Sequence, residues 1–162
     1  MKVLVIGGTL FIGRELVGRR PSAVLVNRAN AARNAGEWAR AARDYRRALR
    51  ALPNAPAIWV QSGNALKEAG YLATAERAYR EALKLGPSLA DTHLQLGHAL
   101  KLQGRIDEAG EAYQRAAMLD PTLEHARSEL TDLGLSLSGS QTSLQNLRAA
   151  RVSVGDRVEY DE

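Results

Sequence analysis

An all-α fold built from tandem helical hairpins is what this 162-residue sequence predicts, and three observations lead there. The first is a period. Pro53, Pro87 and Pro121 are 34 residues apart, and Gly36, Gly70 and Gly104 keep the same step. Ala41, Ala75 and Ala109, then Tyr45, Tyr79 and Tyr113, then Ala48, Ala82 and Ala116 recur in phase with them, and self-similarity at a fixed step marks a stacked repeat. The second is helical spacing inside each period: Trp59, Gly63 and Leu66 fall at i, i+4, i+7, and Leu72, Ala75, Tyr79 and Ala82 share a second face. The third is composition. Aromatic residues make up only 5% and alanine is abundant, so the core is made of small side chains that let helices approach closely.

Residues 1–21 have a different character. Lys2-Val3-Leu4-Val5-Ile6 is β-prone, Gly7-Gly8-Thr9-Leu10-Phe11-Ile12-Gly13 is glycine-rich, and Arg14-Glu15-Leu16-Val17 opens a short helical pattern. This stretch resembles the first strand and phosphate loop of the NAD-dependent epimerase and short-chain dehydrogenase family, where backbone N–H groups at a helix N-terminus hold a pyrophosphate. The resemblance implies a tight turn at Gly7, with Gly8 beside it, and close helix–strand packing at Gly13; Leu10 departs from the family's glycine pattern. Ala23 to Arg28 is similar to that family's second strand. A dinucleotide site needs several parallel strands, whereas the chain turns to helical repeats after about residue 28 and the crossover from Arg14 to Pro21 is too short for a βαβ unit. A nucleotide-binding remnant using Gly7, Gly8 and Gly13 is therefore the alternative function, not the first. A secretory signal over Val3–Ile12 is disfavoured by Arg14-Glu15 and by the lack of a small-residue cleavage site.

Three units follow, over 22–55, 56–89 and 90–123. In each, a first helix ends at a glycine and a second ends before a proline that cannot continue it. These units resemble the tetratricopeptide repeat: the third carries His93, Leu96, Gly97, Leu100, Gly104, Ile106, Ala109, Tyr113, Ala116 and Pro121 in the family's columns, with His93 replacing a large aromatic. The first unit departs most, with Leu25, Arg28, Ala29 and Ala32 in its first helix and an arginine where the family packs leucine. Ala23–Asn27 favours strand by propensity and helix by the 34-residue register; the register is preferred. The resemblance implies a right-handed α-solenoid.

Leu123, Ala126, Leu130 and Leu133 then describe one amphipathic helix within 122–134, ending near Gly134, a solvating cap for the array. Residues 135–162 read as a polar linker and irregular tail in which Val152–Tyr160 has the pattern of a hairpin. Three segments of unrelated character suggest a composite or truncated gene product.

Catalytic chemistry is not expected. The absence of cysteine removes disulfides, thiolate metal sites and thiol nucleophiles, and suits the reducing cytoplasm. His93 and His98 point to different helix faces, so no metal pair forms, and no cofactor is expected. No apolar run is long enough to span a membrane. The net charge of +4 is a mild bias toward acidic partners. The resemblance implies that the first helices line a peptide-binding groove, and the columns there are Asn30, Asn64 and His98; Arg33, Lys67 and Lys101; and Val60 and Leu94 beside Val26. Amides suit a peptide backbone and cations suit carboxylates. Arg40, Arg43, Arg47 and Arg50, with Arg46 beside them, form a basic face on the first unit's second helix; without aromatics for base stacking it reads as a solvated face rather than a nucleic-acid surface. The expected function is a non-catalytic protein-interaction module binding an extended, acidic segment; the sequence leaves the partner's identity and the oligomeric state open.

Overall fold

The computed structural model describes residues 21–135, and every regular element among them is an α-helix. The chain divides between Leu85 and Gly86 into two compact units. The first holds α1 (Pro21–Asn34), α2 (Trp38–Ala51), α3 (Pro56–Glu68) and α4 (Leu72–Leu85), with α1 packed on α2, α2 on α3 and α3 on α4. The second holds α5 (Ala90–Leu102), α6 (Ile106–Leu119) and α7 (Glu124–Asp132), with α6 packed on both α5 and α7. This is the expected all-α class, helical hairpins of the α-solenoid kind. The β-prone N-terminal segment, including Gly7, Gly8 and Gly13, and the tail beyond Leu135 lie outside the described residues.

Local chemistry explains the helix ends. Gly36, Gly70, Gly104 and Gly134 all have positive φ, and each closes its helix with a paired bond. At Gly70 the glycine N–H reaches Lys67 O at 2.9 Å and the Tyr71 N–H reaches Leu66 O at 2.8 Å, the double closure that satisfies orphan carbonyls at a helix C-terminus. At Gly134 the following residue, Leu135, folds back to 7% exposure, and a Cβ on Gly110 would collide with it.

Packing follows the columns. Tyr45, Tyr79 and Tyr113 are all fully buried, among alanines at 41, 48, 75, 82, 109 and 116 that are equally closed to solvent. A Cβ on Gly63 would overlap the Tyr79 ring, and one on Gly97 the Tyr113 ring, so those glycines are where the tyrosines find room. The aromatic column keeps its hydrogen bond when its residue changes: Trp59 Nε1 donates to Pro53 O at 2.8 Å, and His93 Nε2 lies 3.0 Å from Pro87 O.

Ala23–Asn27 is helical, as the register requires. Valine's poor helix propensity costs only tenths of a kcal/mol per residue, about 0.5, and burial of Ala29 and Ala32 in the alanine-rich cluster with Ala41, Ala42 and Tyr45 outweighs it. Arg28, the residue that looked least compatible with that helix, has a partner: its Nη2 is 3.3 Å from Oδ2 of Asp44 on α2, a carboxylate only 3% exposed, and Arg47 approaches the other oxygen at 3.7 Å.

Candidate functional site

In the first unit, the asparagines expected to read a peptide backbone are engaged from behind. The Tyr45 hydroxyl donates to Asn30 Oδ1 at 2.6 Å, and the Tyr79 hydroxyl to Asn64 Oδ1 at 2.8 Å. Each pair spans 15 residues, from the first helix of a hairpin to the second. A buried phenol needs a partner, and the amide oxygen supplies it; the bond fixes the amide's orientation and leaves its N–H₂ as the group turned to other uses. The recurring offset between the asparagine and tyrosine columns was the signal for this pairing.

The cations are also held. Arg33 Nη1 donates to Gln61 Oε1 across to α3, and its Nη2 donates to Asn34 Oδ1 at 3.2 Å. Lys67 sits 3.3 Å from Glu68 and is largely covered, its side chain 17% exposed. Burial pushes the Tyr45 phenol up from its ordinary pKa, against the opposing charge of Arg33. Val60 is half-buried beside them.

In the second unit the same columns carry different chemistry. His98 replaces asparagine, and its ring stands edge-on to Tyr113, centroids 5.5 Å apart. The buried Tyr113 hydroxyl therefore has no amide oxygen to donate to and faces the Glu129 carboxylate, without a hydrogen bond of ordinary geometry. Lys101 Nζ donates to Glu129 Oε2 of α7 at 2.7 Å, and His98 Nε2 lies 3.4 Å from Oε1. Lys101 and Glu129 are 28 residues apart, the same offset that joins Arg33 to Gln61. Burial alone would push the Glu129 carboxyl up, but the hydrogen bond and charge of Lys101, with His98 adjacent, hold it below the usual carboxylate range. Tyr113 is driven up in turn, first by burial and then by the Glu129 charge. Leu94, expected to offer an apolar contact, is 2% exposed and its side chain serves packing instead. Glu129 and Gln61 are the residues that sequence reasoning missed, since neither belongs to the asparagine or cation columns.

The arginine face of α2 is only partly a solvated stripe. Arg40 pairs with Glu37 at 2.6 Å and Arg47 approaches Asp44, whereas Arg43 and Arg46 border a cleft between helices.

Family models decide the repeat's identity: the tetratricopeptide repeat model matches residues 22–55 and 90–123, and a TPR repeat model matches 63–104, together more than half of the chain. The chain belongs to the tetratricopeptide-repeat family. The matches begin at residue 22, and the dehydrogenase-like resemblance of the preceding residues finds no support in them. No curated protein matches the chain. Among solved structures, the first TPR of Spaghetti (RPAP3) bound to HSP90 peptide SRMEEVD is 24% identical with a TM-score of 0.66, covering 70% of this chain and 90% of that one. The second TPR domain of human RPAP3, in complex with HSP70 peptide SGPTIEEVD, is 20% identical with a TM-score of 0.65 over 71% and 99%. MamA is 17% identical with a TM-score of 0.68 over 78% and 71%. At such identities these three structures share the fold with this chain.

Proposed function

We propose that this tetratricopeptide-repeat chain is a non-catalytic protein-interaction module that takes an extended, acidic peptide segment along α1 and α3. The observation that carries the reading is the matched pair of clamped asparagines: Asn30 and Asn64 are each oriented by a buried tyrosine, so that two amide N–H₂ groups on successive first helices are held in equivalent positions. Donors fixed in advance bind a peptide carbonyl without the entropy cost of ordering them. Arg33 and Lys67 stand one turn further along the same helices and supply charge for carboxylates, with Val60 as the apolar contact. His98, Lys101 and Leu94 occupy the corresponding columns of α5. The bound peptides of the two RPAP3 structures, SRMEEVD and SGPTIEEVD, are acidic segments of the kind this charge pattern suits.

No helix among the described residues is long and apolar enough to cross a membrane, and no group of three metal-ligating side chains occurs among them. A chain without cysteine suits the reducing cytoplasm, and we place the module there.

The test uses Asn64→Asp, which keeps the oxygen that accepts from Tyr79 and removes the N–H₂ donor, together with Lys67→Ala. Titration with SRMEEVD as probe should show binding that weakens about tenfold in each variant, the effect of losing one hydrogen bond or one ion contact. Affinity as high as the parent's in both variants, with helicity intact, refutes the site.

A further inference from the structure

The first unit contains a cleft of about 910 Å³ that shares no lining residue with the peptide face. Its walls are α2, from Ala39 to Leu49, and α4 with its entry residue, from Tyr71 to Glu81; Trp59, Ser62 and Leu66 of α3 form the floor. Eleven residues along each wall give a trough about 15 Å long at the helical rise.

Two repeat columns explain why the trough is there. At 28, 62 and 96 the residues are Arg, Ser and Leu; at 44, 78 and 112 they are Asp, Ala and Ala. In the first repeat these two columns carry the Arg28–Asp44 ion pair, and in the third they carry Leu96 and Ala112. The middle repeat has its two smallest members, Ser62 and Ala78, and both line the cleft.

The borders are charged in a consistent sense. Arg43 and Arg77 stand in the same column on opposite walls, and Arg46 is one turn beyond Arg43. Among the described residues Arg43 and Arg46 make no ion pair, while the one bordering carboxylate, Glu81, accepts from Lys84 at 2.6 Å. Tyr71 stays 57% exposed at the mouth instead of closing over the apolar floor. A single anionic headgroup calls for cations gathered at one end. Cations distributed along both walls of an elongated apolar trough suit a rod-shaped partner with acidic groups on both flanks. About three turns of helix match the length, and an apolar ridge at i, i+3/i+4, i+7 matches the floor.

We propose that this cleft is a second docking surface, receiving the apolar ridge of an acidic amphipathic helix from a partner protein, with carboxylates set against Arg43, Arg46 and Arg77. The test uses the full chain and a fluorescent helical peptide of about 14 residues with a leucine ridge flanked by glutamates, beside a twin with lysines for glutamates. The acidic peptide should bind, and the lysine twin should not. Ser62→Leu, which gives the middle repeat the residue of the third, should weaken binding about tenfold or more by filling the floor, and Arg43→Glu with Arg77→Glu should do so by reversing the walls. Affinity for SRMEEVD should be unchanged in both, which separates this cleft from the peptide face. Equal binding of the two peptides, no binding of either, undiminished binding by the variants, or adsorption to phosphatidylglycerol vesicles in place of peptide binding overturns the proposal. Should Ser62→Leu not fold, the charge reversal of exposed arginines decides alone.

Discussion

The Arg28–Asp44 pair offers the sharpest quantitative test. Asp44 is 3% exposed and Arg28 reaches it at 3.3 Å with a side chain that is itself 51% exposed. Removing one partner of a fully buried pair costs about 3–5 kcal/mol; with the arginine half in water the pair is screened, and Arg28→Leu should cost about 1–2 kcal/mol. The cost comes from a covered carboxylate left with Arg47 alone, 3.7 Å away. Asp44→Ala should cost less, within about 1 kcal/mol, because the abandoned guanidinium can turn to solvent. The double variant Arg28→Leu/Asp44→Ala recreates the Leu96/Ala112 combination of the third repeat and should be at least as stable as the parent, since apolar replacement of a buried pair is neutral or stabilising. Urea and thermal unfolding followed by circular dichroism measure all four proteins, and the cycle should return a coupling of about 1–3 kcal/mol. In a domain of this size 1 kcal/mol moves Tm by about 4 °C. An Arg28→Leu protein as stable as the parent, or a double variant less stable than either single one, would refute the reasoning.

Two further outcomes follow from the polar bonds of the hairpins. Tyr79→Phe should lose about 0.5–1.5 kcal/mol because it strips the donor from Asn64, while Tyr113→Phe should cost less, its hydroxyl facing the Glu129 carboxylate without a hydrogen bond of ordinary geometry; equal losses at both sites in denaturant melts would contradict the assignment. The Glu129 carboxyl has a folded pKa below its unfolded value, so its contribution is fully present above the ordinary carboxylate range and disappears as pH falls through the folded value. Acid titrations of Tm should therefore fall less steeply for Glu129→Gln than for the parent, and superimposable curves would remove Glu129 as a stabilising partner of Lys101.

Much of the fold could be read from residue order, for definite reasons. Gly36, Gly70, Gly104 and Gly134 mark helix ends because a left-handed backbone is cheap only for glycine, and that preference belongs to the residue itself. The tyrosine and alanine columns identified the core because burial repeats with the period. Arg28 misled, looking like a defect in a leucine column, because its partner stands 16 positions on in another helix. The peptide face was legible as columns of residue types but not as chemistry: the sequence shows Asn30, Asn64 and Lys101, and only the docked helices show that Tyr45, Tyr79 and Glu129 already hold them.

Sequence alone therefore determined the helical hairpins, their ends and their repeat identity, since turn chemistry and apolar spacing are written in contiguous residues. Tertiary structure decided which polar groups are consumed inside the repeat and where space is left over. Both depend on bringing atoms from separate helices within about 3 Å, and both changed with single residues: histidine at 98 takes from Tyr113 the amide acceptor that Tyr45 and Tyr79 have, and serine at 62 leaves a trough.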